Sequence, residues 1–130
     1  MTNLMNALSQ VVALILAPPI ARTATLTGTA IDITDYEGVG LFVLNAALAT
    51  AGTTPTLNCK LQHSDTSGGT YADVTGGAFT EVTDAAGNGV QVLKLNVSDL
   101  KAHVKLIGTI AGANASFDFA AQFIGVKKAS

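Results

Sequence analysis

Two histidines, His63 and His103, and one cysteine, Cys59, are the side chains of this 130-residue sequence best suited to nucleophilic or general-base work. Such chemistry needs a nucleophile beside a base that a third group orients. His63 closes the alternating run Leu57, Cys59, Leu61 and stands next to Ser64 and Asp65, while His103 lies outward of Val104 and Leu106. Neither has a Gly-x-Ser-x-Gly elbow or another nucleophile signature nearby. Both read as surface or margin histidines. Cys59 shares a face with Leu57 and Leu61, and Lys60 falls on the opposite face, so no cation activates the thiol. It reads as a small core hydrophobe.

Metal and phosphate chemistry fare no better. Asp84-Ala85-Ala86-Gly87-Asn88-Gly89 has a distant likeness to a calcium loop but lacks the second acidic ligand and the closing Glu. Asp65-Thr66-Ser67-Gly68-Gly69 fails in the same way, and both read as polar hairpin loops. Gly38-Val39-Gly40 has no third glycine and no Lys-Ser/Thr pair after it, so it is no phosphate cradle. Asn96-Val97-Ser98 and Asn114-Ala115-Ser116 fit the glycosylation pattern, which carries weight only in a secreted chain. No catalytic residue, metal or cofactor is expected. The chain does not read as an enzyme.

Composition points elsewhere. Charged residues are 12% of the chain against a usual ~25%, and apolar residues reach 48%. Seven Lys/Arg against nine Asp/Glu give a formal charge of −2, which argues against nucleic acid, whose phosphates need clustered cations. The paired Lys127-Lys128 is too small a cluster to change that. The mean hydropathy is +0.43, high for a soluble monomer. Yet the longest apolar run, Val11–Ala17, stops at Pro18-Pro19, short of the ~18 residues a membrane span needs. No charge precedes Arg22, so a secretory signal with a basic start is not expected either. The expectation is apolar surface covered by another protein chain.

The elements that would carry such a surface are strands. Thr23, Thr25, Thr27 and Thr29 alternate with Ala24, Leu26, Gly28 and Ala30. Val39–Leu44 is apolar on both faces, as for a strand covered on both sides. Leu57, Cys59 and Leu61 alternate with Asn58, Lys60 and Gln62, a half-buried strand. Tyr71–Val74 and Phe79–Val82 are short strand candidates separated by Gly76-Gly77. Leu93, Leu95 and Val97 alternate with polar residues, Val104, Leu106 and Ile110 follow, and Phe117, Phe119, Ala121 and Phe123 share one inward face. Ser98 can cap a single helical turn. Turn residues at Gly52–Pro55, Ser67–Gly69, Gly87–Gly89 and Gly112–Asn114 punctuate the runs about every ten residues. The fold class predicted is all-β: an antiparallel β-sandwich or jelly roll of about eight strands over 22–130, with an N-terminal arm over 1–21. The arm's Thr2–Leu8 part suits a short helix, and its paired prolines suit a surface or edge course.

Sugar binding is the rival reading from another class, because β-sandwiches often carry it. It usually rests on aromatic platforms, and with no Trp the candidates are Tyr36 and Tyr71.

The order of Leu61-Gln62-His63-Ser64, then Asp73-Val74 with Phe79-Thr80, then Asp99-Leu100-Lys101 with Val104, resembles a group of small structural proteins of tailed bacteriophages that decorate or cement the capsid. The likeness spans roughly residues 53–128. It implies a virion protein made in the host cytoplasm that stabilises the head by bridging subunits of the major capsid protein. It also implies a homo-oligomer, a trimer ahead of a dimer, with a head–tail junction or tail component as the neighbouring alternative. On that reading the arm packs against a sister subunit or the shell, burying Leu4, Met5, Leu8, Val11, Leu14 and Leu16. At ~25 cal/mol per Å2 six such side chains would contribute several kcal/mol before association entropy is subtracted.

Overall fold

The computed structural model describes residues 10–128. Its strands are β1 (Val11–Arg22), β2 (Leu26–Thr27), β3 (Ile31–Asp32), β4 (Tyr36–Ala46), β5 (Ala51–Ser64), β6 (Ala72–Ala78), β7 (Gly89–Asn96) and β8 (His103–Lys127). All pairings are antiparallel. The predicted eight-stranded antiparallel class is the one found.

β8 organises everything. Its first half pairs with β5 on one edge and with β2 and β3 on the other. Its second half pairs with β4 on one edge and β1 on the other, and β4 pairs onward with β7 as β5 does with β6. One sheet, here sheet A, is therefore β1-β8-β4-β7, and sheet B is β2/β3-β8-β5-β6. The chain turns from sheet to sheet at shared corners, as in sandwiches whose strands bend rather than end. Across the open side, the Gln91 side chain accepts from the Thr80 backbone N–H at 2.7 Å and donates to its carbonyl at 3.0 Å, nearly closing a barrel.

The corner of β8 explains turn residues that punctuate the sequence without ending a strand. Gly112-Ala113-Asn114 does not reverse the chain; β5 keeps company with it, Thr53 opposite Ala113 and Ala51 opposite Ser116. Both strands bend together. Gly112 (φ +104) and Asn114 (φ +54) take left-handed backbone, faced by Gly52 (φ +117) and Thr54 (φ +45). The bend shifts the side-chain alternation by one residue. Val104, Leu106 and Gly108 face inward before it, and Ala115, Phe117, Phe119, Ala121 and Phe123 after it. A period of two tolerates such a shift only at a bulge or corner.

Three other expectations need correction. The threonine alternation predicts one strand, but it breaks into β2 and β3, with Gly28 N–H still bonded to the Leu106 carbonyl at 2.8 Å. Gly76-Gly77 does not separate two strands: it is a bulge inside β6, which Gly76 allows by taking φ +74. The helical turn is 3-10, over Val97–Asp99, and Asn96 rather than Ser98 caps it, its Oδ1 accepting from Ser98 N–H at 3.2 Å.

Between the sheets lie Phe42, Leu44, Leu57, Leu61, Val104, Leu106, Phe117 and Phe123, all fully buried. Phe123 meets Tyr36 edge-on at 5.1 Å and Phe42 at 4.9 Å. The predicted inward faces of residues 57–61 and 117–123 are both in this core.

Residues 11–21, part of the arm expected from sequence, form β1 together with Arg22 and pair with β8 as an edge of sheet A. The register slips between Ile15 and Ala17 and again before Ile20, so the strand bulges just before and across Pro18-Pro19. Proline supplies no ladder donor, and an edge is where that is tolerated.

Candidate functional site

The residues with catalytic chemistry stay apart from any constellation. Cys59 is 2% exposed, and burial pushes its thiol up to about 12. His63 Nδ1 accepts the Lys101 backbone N–H at 3.1 Å, a structural task for a neutral imidazole. Burial and then the Lys101 charge hold that imidazole below its ordinary pKa, with Asp65 opposing. His103 sits opposite Asp32 on one side and Ser64 on the other. Among the described residues no three His, Cys, Asp or Glu side chains come together. The sugar-platform candidates are occupied too. Tyr36 is 5% exposed, buried against Phe123, and Tyr71 carries the Lys105 ammonium 4.0 Å above its ring. Tyr36 is thus no exposed platform.

What distinguishes the surface is the contrast between the outer faces of the two sheets. Sheet B presents polar side chains joined to each other. Asn58 donates to Glu81 at 2.9 Å, Gln62 donates to Asp73 at 2.9 Å, and Lys60 pairs with Asp73 at 3.0 Å. That face is content with water.

Sheet A presents the opposite. Its cross-strand registers line up Val11 with Val126 and Ala13 with Ile124. They continue Ile124 to Leu41 and on to Lys94, and Gln122 to Val43 and on to Val92. Val11, Ile15, Val39, Val90, Val92 and Val126 are 37% to 65% exposed there. The strand Val39–Leu44 therefore has one covered face, through Phe42 and Leu44, and one that nothing in the described residues covers. Counting four strands at ~4.8 Å and about eight residues at ~3.3 Å, the face measures roughly 500 Å2, mostly apolar with Lys94, Gln122 and Asn45 among its side chains. Exposed surface so rich in valine and isoleucine on a small protein marks an interaction site.

At one end of the face, where β1 bulges, lies a hollow of about 250 Å3 lined by Ile15, Ala17, Pro19, Val43, Asn45 and Ala120 among others. It gives the flat sheet a recess that a partner's side chain can fill.

The six interface residues expected from sequence divide. Leu4, Met5 and Leu8 lie outside the described residues. Val11 is on the apolar face at 45% exposure, and Leu14 is half-buried along the edge. Leu16, at 2% exposure, belongs to the core of its own chain and offers a partner nothing. Sequence reasoning missed Val39, Val90 and Val92. The signal for the first is the apolar run Val39–Leu44, which fits a strand covered on both sides equally well.

No protein-family model matches the sequence, and neither does any curated protein. Among solved structures, the chain is similar to VP2 of infectious bursal disease virus in the crystal structure of its subviral particle, with 14% identity and a TM-score of 0.53 over 90% of this chain. A structure of the Gx strain of that virus aligns at 13% identity and a TM-score of 0.49 over 88% of the chain. The chain spans about a third of each, 32% and 31%. At such identity the VP2 likeness is one of fold.

Proposed function

We propose that this chain is a non-enzymatic structural protein of a virus particle, a decoration or cement subunit that binds the outside of a tailed-phage head and bridges subunits of the major capsid protein. The observation that carries the reading is the uncovered apolar face of sheet A, set against the polar face of sheet B. An amphipathic sandwich of this kind needs a protein surface on one side and water on the other. Supporting it are the resemblance of residues 53–128 to phage decoration proteins and a sandwich fold similar to that of a protein in a subviral particle. The scarcity of cations fits a location on the outside of a shell, away from packaged nucleic acid.

Stabilisation by such a subunit is a matter of simultaneous attachment. A single face of roughly 500 Å2 buries about 1,000 Å2 in total, the lower limit for a specific interface. Repetition over a symmetric shell turns modest affinity at each site into strong retention.

The test is titration of the purified protein onto emptied heads that lack it, followed by imaging and thermal rupture. Saturable binding at symmetric positions and a raised rupture temperature are expected, and a Val92→Glu variant is expected to lose both. Sites confined to the tail or the head–tail junction would reassign the protein within the particle. Absence of binding to any part of the particle would overturn the reading.

A further inference from the structure

We infer that β1 pairs, through the edge that no described strand occupies, with β1 of a second copy, antiparallel about a two-fold axis at Ala13, joining the two A sheets into one continuous eight-stranded sheet.

The phase of the hydrogen bonding leads there. Lys127 N–H donates to the Gln10 carbonyl at 2.9 Å, and the register then runs without a slip from Val11 opposite Val126 to Ile15 opposite Gln122. Bonded and non-bonded pairs alternate in an antiparallel ladder. Residues 10, 12 and 14 therefore bond to β8, and Val11, Ala13 and Ile15 turn their N–H and C=O groups to the open edge. Those groups form a template for another strand.

Other edges in the described residues are guarded. The β7 edge is bridged by Gln91 to Thr80, β6 is broken by its glycine bulge, and β2 and β3 are two residues each. Among the described residues no such device guards the first half of β1. From Gln10 to Ala21 there is no charge, and the bulge and Pro18-Pro19 come only after Ile15.

The stretch is also complementary to itself, as a two-fold contact requires. With Ala13 on the axis, Val11 meets the partner's Ile15 on the outer face, and Val12 meets the partner's Leu14 on the core side. Val12 and Leu14 are the half-buried residues that the edge leaves partly uncovered. The smallest side chain stands where two identical residues must face each other. Bonded pairs at 11, 13 and 15 supply about six backbone hydrogen bonds. An uncharged edge with no unmatched ion favours a second copy over a charged partner. The pairing also places two apolar faces side by side, about 1,000 Å2 of continuous surface.

The dimer is measured in solution without particles, so its failure and a failure of capsid binding are separate results. Sedimentation equilibrium of the full chain at micromolar concentration is expected to give twice the chain mass. Ala13→Pro removes an edge N–H without breaking the β8 ladder, and Ile15→Lys places a charge on the edge at a 65% exposed position. Both are expected to halve the mass with an unchanged circular dichroism spectrum. If Ala13→Pro fails to fold, Ile15→Lys decides alone. An Ala13→Cys variant is expected to crosslink to a dimer with a short bismaleimide, whereas Val90→Cys, on the far strand of the same sheet, is not. A monomeric or trimeric wild type, or an oligomer that keeps its mass in Ile15→Lys, overturns the inference.

Discussion

The guanidinium of Arg22 lies over the ring of Phe119, 4.7 Å from its centroid, and donates at 2.9 Å to the carbonyl oxygen of that same residue. It donates also to Pro18 at 2.8 Å and to Ile20 at 3.2 Å. These carbonyls belong to the stretch where the bulge and the two prolines break the β1 ladder. One side chain, 8% exposed, replaces the bonds that the strand cannot make.

Replacing Arg22 by Met keeps an apolar stem and removes all the donors. A loss of about 2–4 kcal/mol in urea-unfolding free energy is expected, because bonds to a charged group are lost and carbonyls are left unsatisfied. Arg22→Lys should recover less than half of that, since a single ammonium cannot span the fork that a planar guanidinium does. Equal stability of Lys and wild type would contradict this account.

The corner of β8 predicts a contrast between two glycines. A Cβ on Gly112 would stand 2.8 Å from the Thr53 carbonyl oxygen and 2.9 Å from Pro55 Cα, at φ +104. Gly38 has φ +74 with nothing within 4 Å of the same position. Gly38→Ala should cost about 1 kcal/mol, the strain of left-handed backbone alone. Gly112→Ala adds a clash with backbone and should cost about 3 kcal/mol or more, read as a lower melting temperature.

Acid should act first through His63. Its pKa is lowered in the folded protein, so as pH falls below the ordinary value of 6.5 the unfolded chain takes up the proton before the native one does. Stability is therefore fully present above 6.5 and declines on acidification from that point. His63→Gln keeps an acceptor for the Lys101 N–H without titrating, and should flatten this part of the stability–pH curve. The Asp32 and Asp73 carboxyls are also lowered, by their bonds from Thr34 and from Gln62 and Lys60. Their contribution is lost only below 3.8, a separate and more acidic window.

Cys59 should be silent toward thiol reagents. With the thiol buried and its pKa near 12, Ellman's reagent is expected to react at the rate of unfolding, and readily in urea. Cys59→Ser puts a hydroxyl into the apolar interior and should cost about 1–3 kcal/mol. Prompt reaction of the native protein would place the thiol elsewhere.

The sheets were legible wherever one side of a strand is wet. Leu57, Cys59 and Leu61 alternate cleanly with Asn58, Lys60 and Gln62, and Phe117 through Phe123 do so because Asp118 and Gln122 flank the small Ala120 on the outer side. The apolar face of sheet A was not legible as a surface. Val39, Leu41 and Val43 give the same pattern whether their outer side is covered by this chain or by another, and hydrophobicity alone does not say by which. Gly112–Asn114 carries turn residues in sequence because a strand-ending turn and a corner both call for positive φ; the difference lies in β5, some fifty residues away in sequence. The task of Arg22 depends on carbonyls freed by a register slip, which has no sequence signature of its own.

The 25-residue β8 has a further consequence for the making of the protein. It is translated after all seven other strands, and β1 through β5 each pair with it directly. Sheet B cannot close until the first half of β8 has cleared the ribosomal tunnel, and sheet A not until residues up to Lys127 have done so. Until then the nascent chain carries its whole complement of valines, leucines and phenylalanines without an interior to put them in. Folding must be largely a single late event dominated by distant pairings, intrinsically slow, and exposed in the meantime to aggregation or to capture by chaperones.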